Sequence, residues 1–357
     1  MRTSHNILFQ DSRELKNIKD EGADLAVTSP PYPMIEMWDE MFIKQNPEIE
    51  KAFKEGESSK AFEYMHRELD KVWRELFRVL KKGGIACINI GDATRTIKGN
   101  FKLYSNHSRI INNCLSLGFS VLPNILWRKQ TNAPNKFMGS GMLPPGAYVT
   151  LEHEYIIILR KGSKREFKTP AEKANRKESA FFWEERNRWF SDIWEDLRGT
   201  RQKLDDEKAR KRSGAFPFEL AYRLINMFSV KGDMVLDPFL GTGTTMLAAM
   251  ASQRNSTGLE LDTSLEGVIK NLAGNIVDFS NLYIRDRMEK HLEFIEERNK
   301  NNKPLRHYNH HHNIPVTTRQ ETCLKLHEIE GVQERSPLNY VASYKELTPP
   351  KVQLSLF

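Results

Sequence analysis

Residues 235–245 read VLDPFLGTGTT. An apolar strand, DMVLD (233–237), runs into a turn holding Gly241 and Gly243. GTTMLAAMASQ (243–253) then continues as a helix. Glycines in such a turn let the backbone come close to a ligand, and the helix start behind them offers unpaired amide donors. A phosphate-binding P-loop would need Gly-Lys-Ser/Thr, and no lysine is present. A dinucleotide fingerprint would need Gly or Ala at position 246, which is Met. S-adenosylmethionine, which has no phosphate, is the third class that uses such a loop. Glu260 stands at the end of the next strand, STGLELD (256–262), where a carboxylate can accept from both ribose hydroxyls. An ordinary strand–helix turn without a ligand fits the same letters.

Outward from this unit, short apolar runs alternate with helical patterns. NILF (6–9), DLAV (24–27), GIACINI (84–90), SVLPNILW (120–127) and YIIIL (155–159) read as strands. Phe62, Met65, Leu69, Val72, Trp73, Leu76 and Leu80 recur at helical spacing, HSRIINNCLSLGF forms a shorter helix ending at Gly118, and FPFELAYRLINMFS (216–229) another. Alternating strands and helices predict an α/β fold, doubly wound around a mostly parallel sheet. The 357 residues are 39% hydrophobic and 28% charged, which describes a globular chain with a substantial core. No run approaches a membrane span, and the N-terminal residues lack an apolar signal core, so an intracellular protein is expected. Three scattered cysteines argue against a disulfide framework.

A second feature is TSPPYP (28–33), directly after the strand DLAV. Proline cannot continue a sheet ladder, so the strand stops there. The stretch also sets a hydroxyl, a rigid backbone and a flat ring at a strand end. Pro30-x-x-Pro33 matches a polyproline ligand, but the following MIEMWDEMF is too apolar for an exposed linker. MIEMWDE suits a lid with Trp38 as a stacking surface, and core packing of Met34, Met37 and Trp38 suits it equally.

TSPPY together with DPFLGTGTT resembles the amino-methyltransferases of DNA. With the acceptor motif first and the cofactor motif about 210 residues later, the order is similar to the permuted beta class found in restriction–modification systems. FPFELAYRLINMFSVKGDMVLDPF, KKGGIACINIGD and HEYIIILRK resemble further segments of that family. The resemblance covers residues 5 to 160 and 214 to about 265. It implies the S-adenosylmethionine-dependent methyltransferase fold, circularly permuted, with an inserted DNA-recognition region. Asp237, Phe239, Gly241, Gly243, Glu260 and Asp11 would bind the cofactor, Asp11 near its adenine. If the strands 24–27 and 233–237 are neighbours, Ser29 and Gly241 face one crevice at the strand ends. NILFQDS would then follow STGLELD in space.

The implied reaction is methylation of cytosine N4, whose lone pair is delocalised into the ring. Ser29 Oγ and the Pro30 carbonyl would accept its two N–H bonds, Pro30 and Pro31 would stiffen that backbone, and Tyr32 would stack on the flipped base. Ser at 29, where adenine-specific relatives usually carry Asp or Asn, favours cytosine N4, with adenine N6 as the alternative. A non-catalytic DNA-binding protein of the same fold is the alternative from another class. Methylation at cytosine C5 would need a nucleophilic cysteine, typically after proline, and none follows proline here.

The net charge of +7 permits nucleic-acid binding. Residues 161–213 carry 16 Lys or Arg against 11 Asp or Glu, and fall where the family places target recognition. Arg186, Arg188, Arg198, Arg201, Lys208, Arg210, Lys211 and Arg212 are the candidate contacts to double-stranded DNA. A solvated loop region, or a small helical subdomain packing its aromatics, accounts for the same stretch. The loop 131–148 is a further candidate for reaching DNA. His307 and His310 to His312 lack an accompanying ligand cluster, and no metal is assigned. The expected division is thus 1–160 (target-base half), 161–213 (recognition), 214–285 (cofactor half) and 286–357 (an extension). A restriction endonuclease is the expected functional partner, in the cytoplasm of a prokaryotic cell.

Overall fold

The computed structural model describes residues 1–129, 138–197 and 216–348. The chain divides into two compact units, one of Gln10–Lys164 and Asp192–Leu220, the other of Met1–Phe9, Arg165–Ser191 and Ala221–Phe357.

In the first unit the strand Ala23–Thr28, buried at every position, pairs in parallel with Leu80–Ile90, with Leu25 opposite Ile85 and Thr28 opposite Ile88. His153–Lys161 runs antiparallel to Leu80–Ile90 on its other side, and Ile125–Arg128 antiparallel to His153–Lys161. The expected strand 120–127 is broken. Phe119–Val121 and Ile125–Arg128 are separate pieces on His153–Lys161, because Pro123 cannot donate to a ladder. Between the parallel strands lies the helix Ser58–Val79, whose Met65, Leu69, Val72, Trp73 and Leu76 are buried as their spacing predicts. The helix Asn106–Leu117 ends on Gly118, held at φ 101°. These directions place Thr28, Ile90, Arg128 and the start of His153–Lys161 at one edge, so the polar segments that follow or precede them gather there.

In the second unit Met234–Asp237, Asn255–Glu260 and Arg2–Phe9 are parallel neighbours, with Val235 opposite Ser256 and Phe9 opposite Glu260. The strand of NILFQDS therefore lies beside that of STGLELD. The helix Thr244–Ala251 is buried from Thr245 to Ala251. Beyond Arg2–Phe9 the layer continues antiparallel through Asn339–Glu346 and His327–Ser336. Residues past 286 thus supply two strands of this layer, and position 286 itself falls inside the helix Ile276–Lys300. Both units are α/β, with parallel central strands flanked by antiparallel ones.

The stretch 165–191 forms two short helices, Pro170–Glu178 and Trp183–Trp189. Phe182 and Trp189 are buried. The Arg287 guanidinium is also buried, donating 2.6 and 2.7 Å bonds to both oxygens of Glu185. Among the described residues, no helix is long and apolar enough to cross a membrane.

Candidate active site

In the first unit the chain leaves Thr28 through Ser29, Pro30 and Pro31, the two prolines buried and Ser29 and Tyr32 half-buried. Ser29 Oγ lies 3.1 Å from both the Asn89 carbonyl oxygen and the Tyr32 hydroxyl. The Tyr32 hydroxyl donates to Glu154 Oε2 at 2.9 Å and accepts from Asn89 Nδ2, also at 2.9 Å. Asn89 Nδ2 donates as well to Glu154 Oε2 at 2.7 Å, and Lys129 Nζ donates to Oε1 at 2.9 Å. Burial, and then the Glu154 charge, push the Tyr32 phenol well above its ordinary range, so it remains a proton donor. The single Ser29 proton has the Asn89 main-chain carbonyl and the Tyr32 oxygen in reach, and the carbonyl is the stronger acceptor. The lone pairs of Ser29 Oγ are then acceptors.

Backbone geometry holds this cluster. A Cβ on Gly91 would sit 3.1 Å from Tyr32 Cε2 and 3.4 Å from Glu154 Cγ, so glycine lets the ring lie against the chain. Asn106 Nδ2 donates to the carbonyls of Pro33 and Gly91 at 3.1 and 2.9 Å, tying the two loops together. Its Oδ1 accepts from His66 Nε2 at 2.9 Å, since both Asn106 protons are spent. Met34 is buried at φ 68°, an uncommon conformation for a side-chain-bearing residue, and its amide donates to Met65 Sδ at 3.4 Å. Met34 is therefore core, whereas Met37 is exposed and Trp38 half-buried in a 3-10 turn.

In the second unit the glycine loop is shaped by Glu260. Its Oε2 accepts from the Gly241 amide at 2.8 Å, and its Oε1 from the amides of Leu261 and Asp262, both at 2.8 Å. Burial pushes the Glu260 carboxyl up, against the pull of those three amides. Asp237 Oδ1 accepts from the Phe239 amide at 3.0 Å. Gly241 and Gly243 have φ 56° and 93°, and a Cβ on Gly241 would meet nothing within 4 Å. Gly243 precedes the helix Thr244–Ala251 without a side-chain cap. An open glycine turn, a helix start and a carboxylate with one lone pair to spare, without a lysine, suit a ligand with hydroxyls and no phosphate.

Asp11 lies in the first unit, where the Arg13 side chain donates to both of its oxygens at 2.6 to 3.1 Å. Burial would raise its carboxyl, but the bonds and charge of Arg13 lower it overall. Arg186 and Arg188 are exposed on the helix Trp183–Trp189. Arg198, Arg201, Lys208, Arg210, Lys211 and Arg212 lie outside the described residues. Cys87 and Cys114 are buried, and burial raises their thiols out of the reactive range. The Asn309 side chain organises the histidine stretch, accepting from the amides of His311 and His312.

Sequence reasoning missed Asn89, Gly91, Lys129 and Glu154. The legible signal was a lone polar residue inside each apolar strand, Asn89 in GIACINI and Glu154 ahead of YIIIL.

Residues 23–271 match the family model described as DNA methylase. The chain is 49% identical to the Type II methyltransferase M.MthZI of Methanothermobacter thermautotrophicus, over 99% of both chains. It is 52% identical to the Type II methyltransferase M.MjaI of Methanocaldococcus jannaschii, over 76% of this chain and 92% of the relative. Among solved structures, a candidate DNA modification methylase from Thermus thermophilus, in complex with S-adenosyl-L-methionine, is 32% identical with a TM-score of 0.58. That match covers 75% of this chain and 92% of the neighbour. With the Ser-Pro-Pro-Tyr strand end and the glycine loop, these matches place the chain in the DNA methylase family, as a beta-class amino-methyltransferase.

Proposed function

We propose that this methyltransferase acts on the exocyclic N4 of cytosine in a short duplex site, as the modification enzyme of a restriction–modification system. The observation that carries the choice of base is Ser29, a neutral hydroxyl whose proton has the Asn89 carbonyl to go to, 3.1 Å away. A hydroxyl so held accepts an N–H bond without adding charge.

S-adenosyl-L-methionine, when bound, supplies an electrophilic methyl group on its sulfonium. Gly241, Gly243 and Glu260 would hold it, Glu260 accepting from one ribose hydroxyl with its remaining lone pair, and Asp237 and Phe239 shaping the loop. Asp11 would have to serve its adenine as a pair with Arg13. On the acceptor side, Ser29 Oγ and the Pro30 carbonyl take the two amino protons in hydrogen bonds. This lets the nitrogen become pyramidal and keeps its lone pair aimed along the transfer axis. Pro30 and Pro31 limit the movement of that carbonyl, and Tyr32 offers its ring to the base withdrawn from the duplex. Positioning and electrostatics carry the catalysis, with no covalent enzyme intermediate. Arg186, Arg188 and the basic stretch 198–212 would contact DNA phosphates, and 131–148 would add to that surface.

Incubation with unmethylated DNA and tritiated S-adenosyl-L-methionine, followed by digestion and mass spectrometry of the nucleosides, tests this. N4-methylcytosine is expected. N6-methyladenine would replace the cytosine assignment, and binding without transfer would leave a DNA-binding role.

A further inference from the structure

We propose that Glu154 is a positioning residue for methyl acceptance: by occupying the Tyr32 hydroxyl proton, it keeps the Ser29 lone pairs open to the target amino group. The inference rests on the methyltransferase reading above.

Glu154 is only 9% exposed, at the start of a strand whose Ile156, Ile157, Ile158 and Leu159 are core. Packing alone would be served by an apolar residue at less desolvation cost. Instead the carboxylate collects three donors, Tyr32 and Asn89 on one oxygen and Lys129 on the other. The consequence lies in the competition among hydroxyls. Tyr32 OH stands 3.1 Å from Ser29 Oγ and 2.9 Å from Glu154 Oε2. While the carboxylate is present it takes the phenolic proton, because a charged acceptor outcompetes a neutral one. Without it, that proton turns to Ser29 Oγ, the next acceptor in reach, and takes one of its two lone pairs in competition with the amino group. Asn89 completes the arrangement, with its main-chain carbonyl for the Ser29 proton and its side-chain amide for the phenol oxygen.

The test uses Glu154→Met, which fills similar volume and leaves only a weak thioether acceptor, Glu154→Gln, which keeps a strong one, Tyr32→Phe, and the double variant Tyr32→Phe/Glu154→Met. Steady-state methylation of duplex DNA gives kcat and both KM values, and thermal unfolding checks the fold. Glu154→Met is expected to lower kcat by about 30-fold or more with KM for DNA and for S-adenosyl-L-methionine within about threefold. Glu154→Gln should stay within about tenfold of wild type. Removing the misdirected proton should rescue, so the double variant should exceed Glu154→Met by about tenfold in kcat with no matching gain in Tm, whereas a packing effect would move both. Wild-type kcat in Glu154→Met, or a double variant no faster than it, overturns the proposal. Should Glu154→Met not fold, Glu154→Gln decides, because a loss as deep as that of Ser29→Ala would mean that an acceptor at 154 is not enough. Rates are read on whichever amino group the wild type methylates. Absence of wild-type transfer strikes the functional reading, whereas transfer without rescue strikes only this one.

Discussion

Around Ser29 the groups are mostly side chains, joined by the main-chain carbonyls of Asn89 and Pro30, and around Gly241 they are mostly backbone. The first cluster wires two hydroxyls, an amide, a lysine and a carboxylate together through bonds of 2.7 to 3.1 Å. The second uses one carboxylate, Glu260, to hold three main-chain amides and leaves space where a Cβ would stand. The difference follows from the tasks proposed for them. An amino group of low nucleophilicity needs acceptors with fixed lone pairs, which a hydroxyl held by its neighbours and a carbonyl between two prolines provide. A large ligand lying along a strand end needs room and donors, which glycine and a helix start provide.

The two clusters should therefore fail in different ways. Gly241→Val is expected to weaken S-adenosyl-L-methionine binding by more than about 100-fold, since the new side chain fills the open space and residue 241 has a positive φ. Ser29→Ala should lower kcat by about 100-fold while leaving cofactor affinity within about threefold. Equilibrium dialysis with labelled cofactor and single-turnover methylation separate the two. If Ser29→Ala loses the cofactor, or Gly241→Val retains it, the division of labour is wrong.

The same contrast explains what was legible in the sequence. Gly241, Gly243 and Glu260 could be read because backbone devices leave local signatures: glycine in a turn and an acid at the next strand end. Ser29 to Tyr32 stood out because prolines interrupt an apolar run. Glu154 and Lys129 stayed hidden because their partners are 122 and 25 residues away in the chain, and no local period records such a bond. Glu185 and Arg287, 102 residues apart, were missed for the same reason. The strands His327–Ser336 and Asn339–Glu346 escaped notice because much of the hairpin is exposed. In Asn339–Glu346 only alternate residues, Tyr340, Ala342 and Tyr344, are buried, which thins the apolar signal.

A substitution behind the glycine loop probes whether its shape, and not only its open space, matters. A Cβ on Gly258 would stand 2.5 Å from Leu240 Cδ1, so the strand Asn255–Glu260 has no room for alanine without moving Leu240. Gly258→Ala is expected to cost about 1–3 kcal/mol of stability, read as a lower Tm. It should also weaken cofactor binding, because Leu240 immediately precedes Gly241 and its amide donates to Leu259 O at 2.8 Å. Stability lost with affinity unchanged would show that the loop tolerates a shift at its root.

The smallest expected effect concerns the support behind the side-chain cluster. His66 is buried, and burial lowers its pKa to about 3, so in the fold it remains neutral through mildly acid pH. In the unfolded chain it titrates near its ordinary value of 6.5. As pH falls below that value the unfolded state takes up a proton that the folded state refuses, and stability is lost towards pH 3. Between pH 6.5 and 5.5 this group should cost about 1 kcal/mol. His66→Gln, which keeps a donor within reach of Asn106 Oδ1, should lose that much less on the same acidification. His5, lowered to about 3 by burial, titrates alike in wild type and variant and so cancels from the difference. The comparison is made by denaturant unfolding at the two pH values. Equal losses in both proteins would mean that His66 is protonated in the folded state, and that the link from Asn106 to Pro33 and Gly91 rests on a charged imidazole.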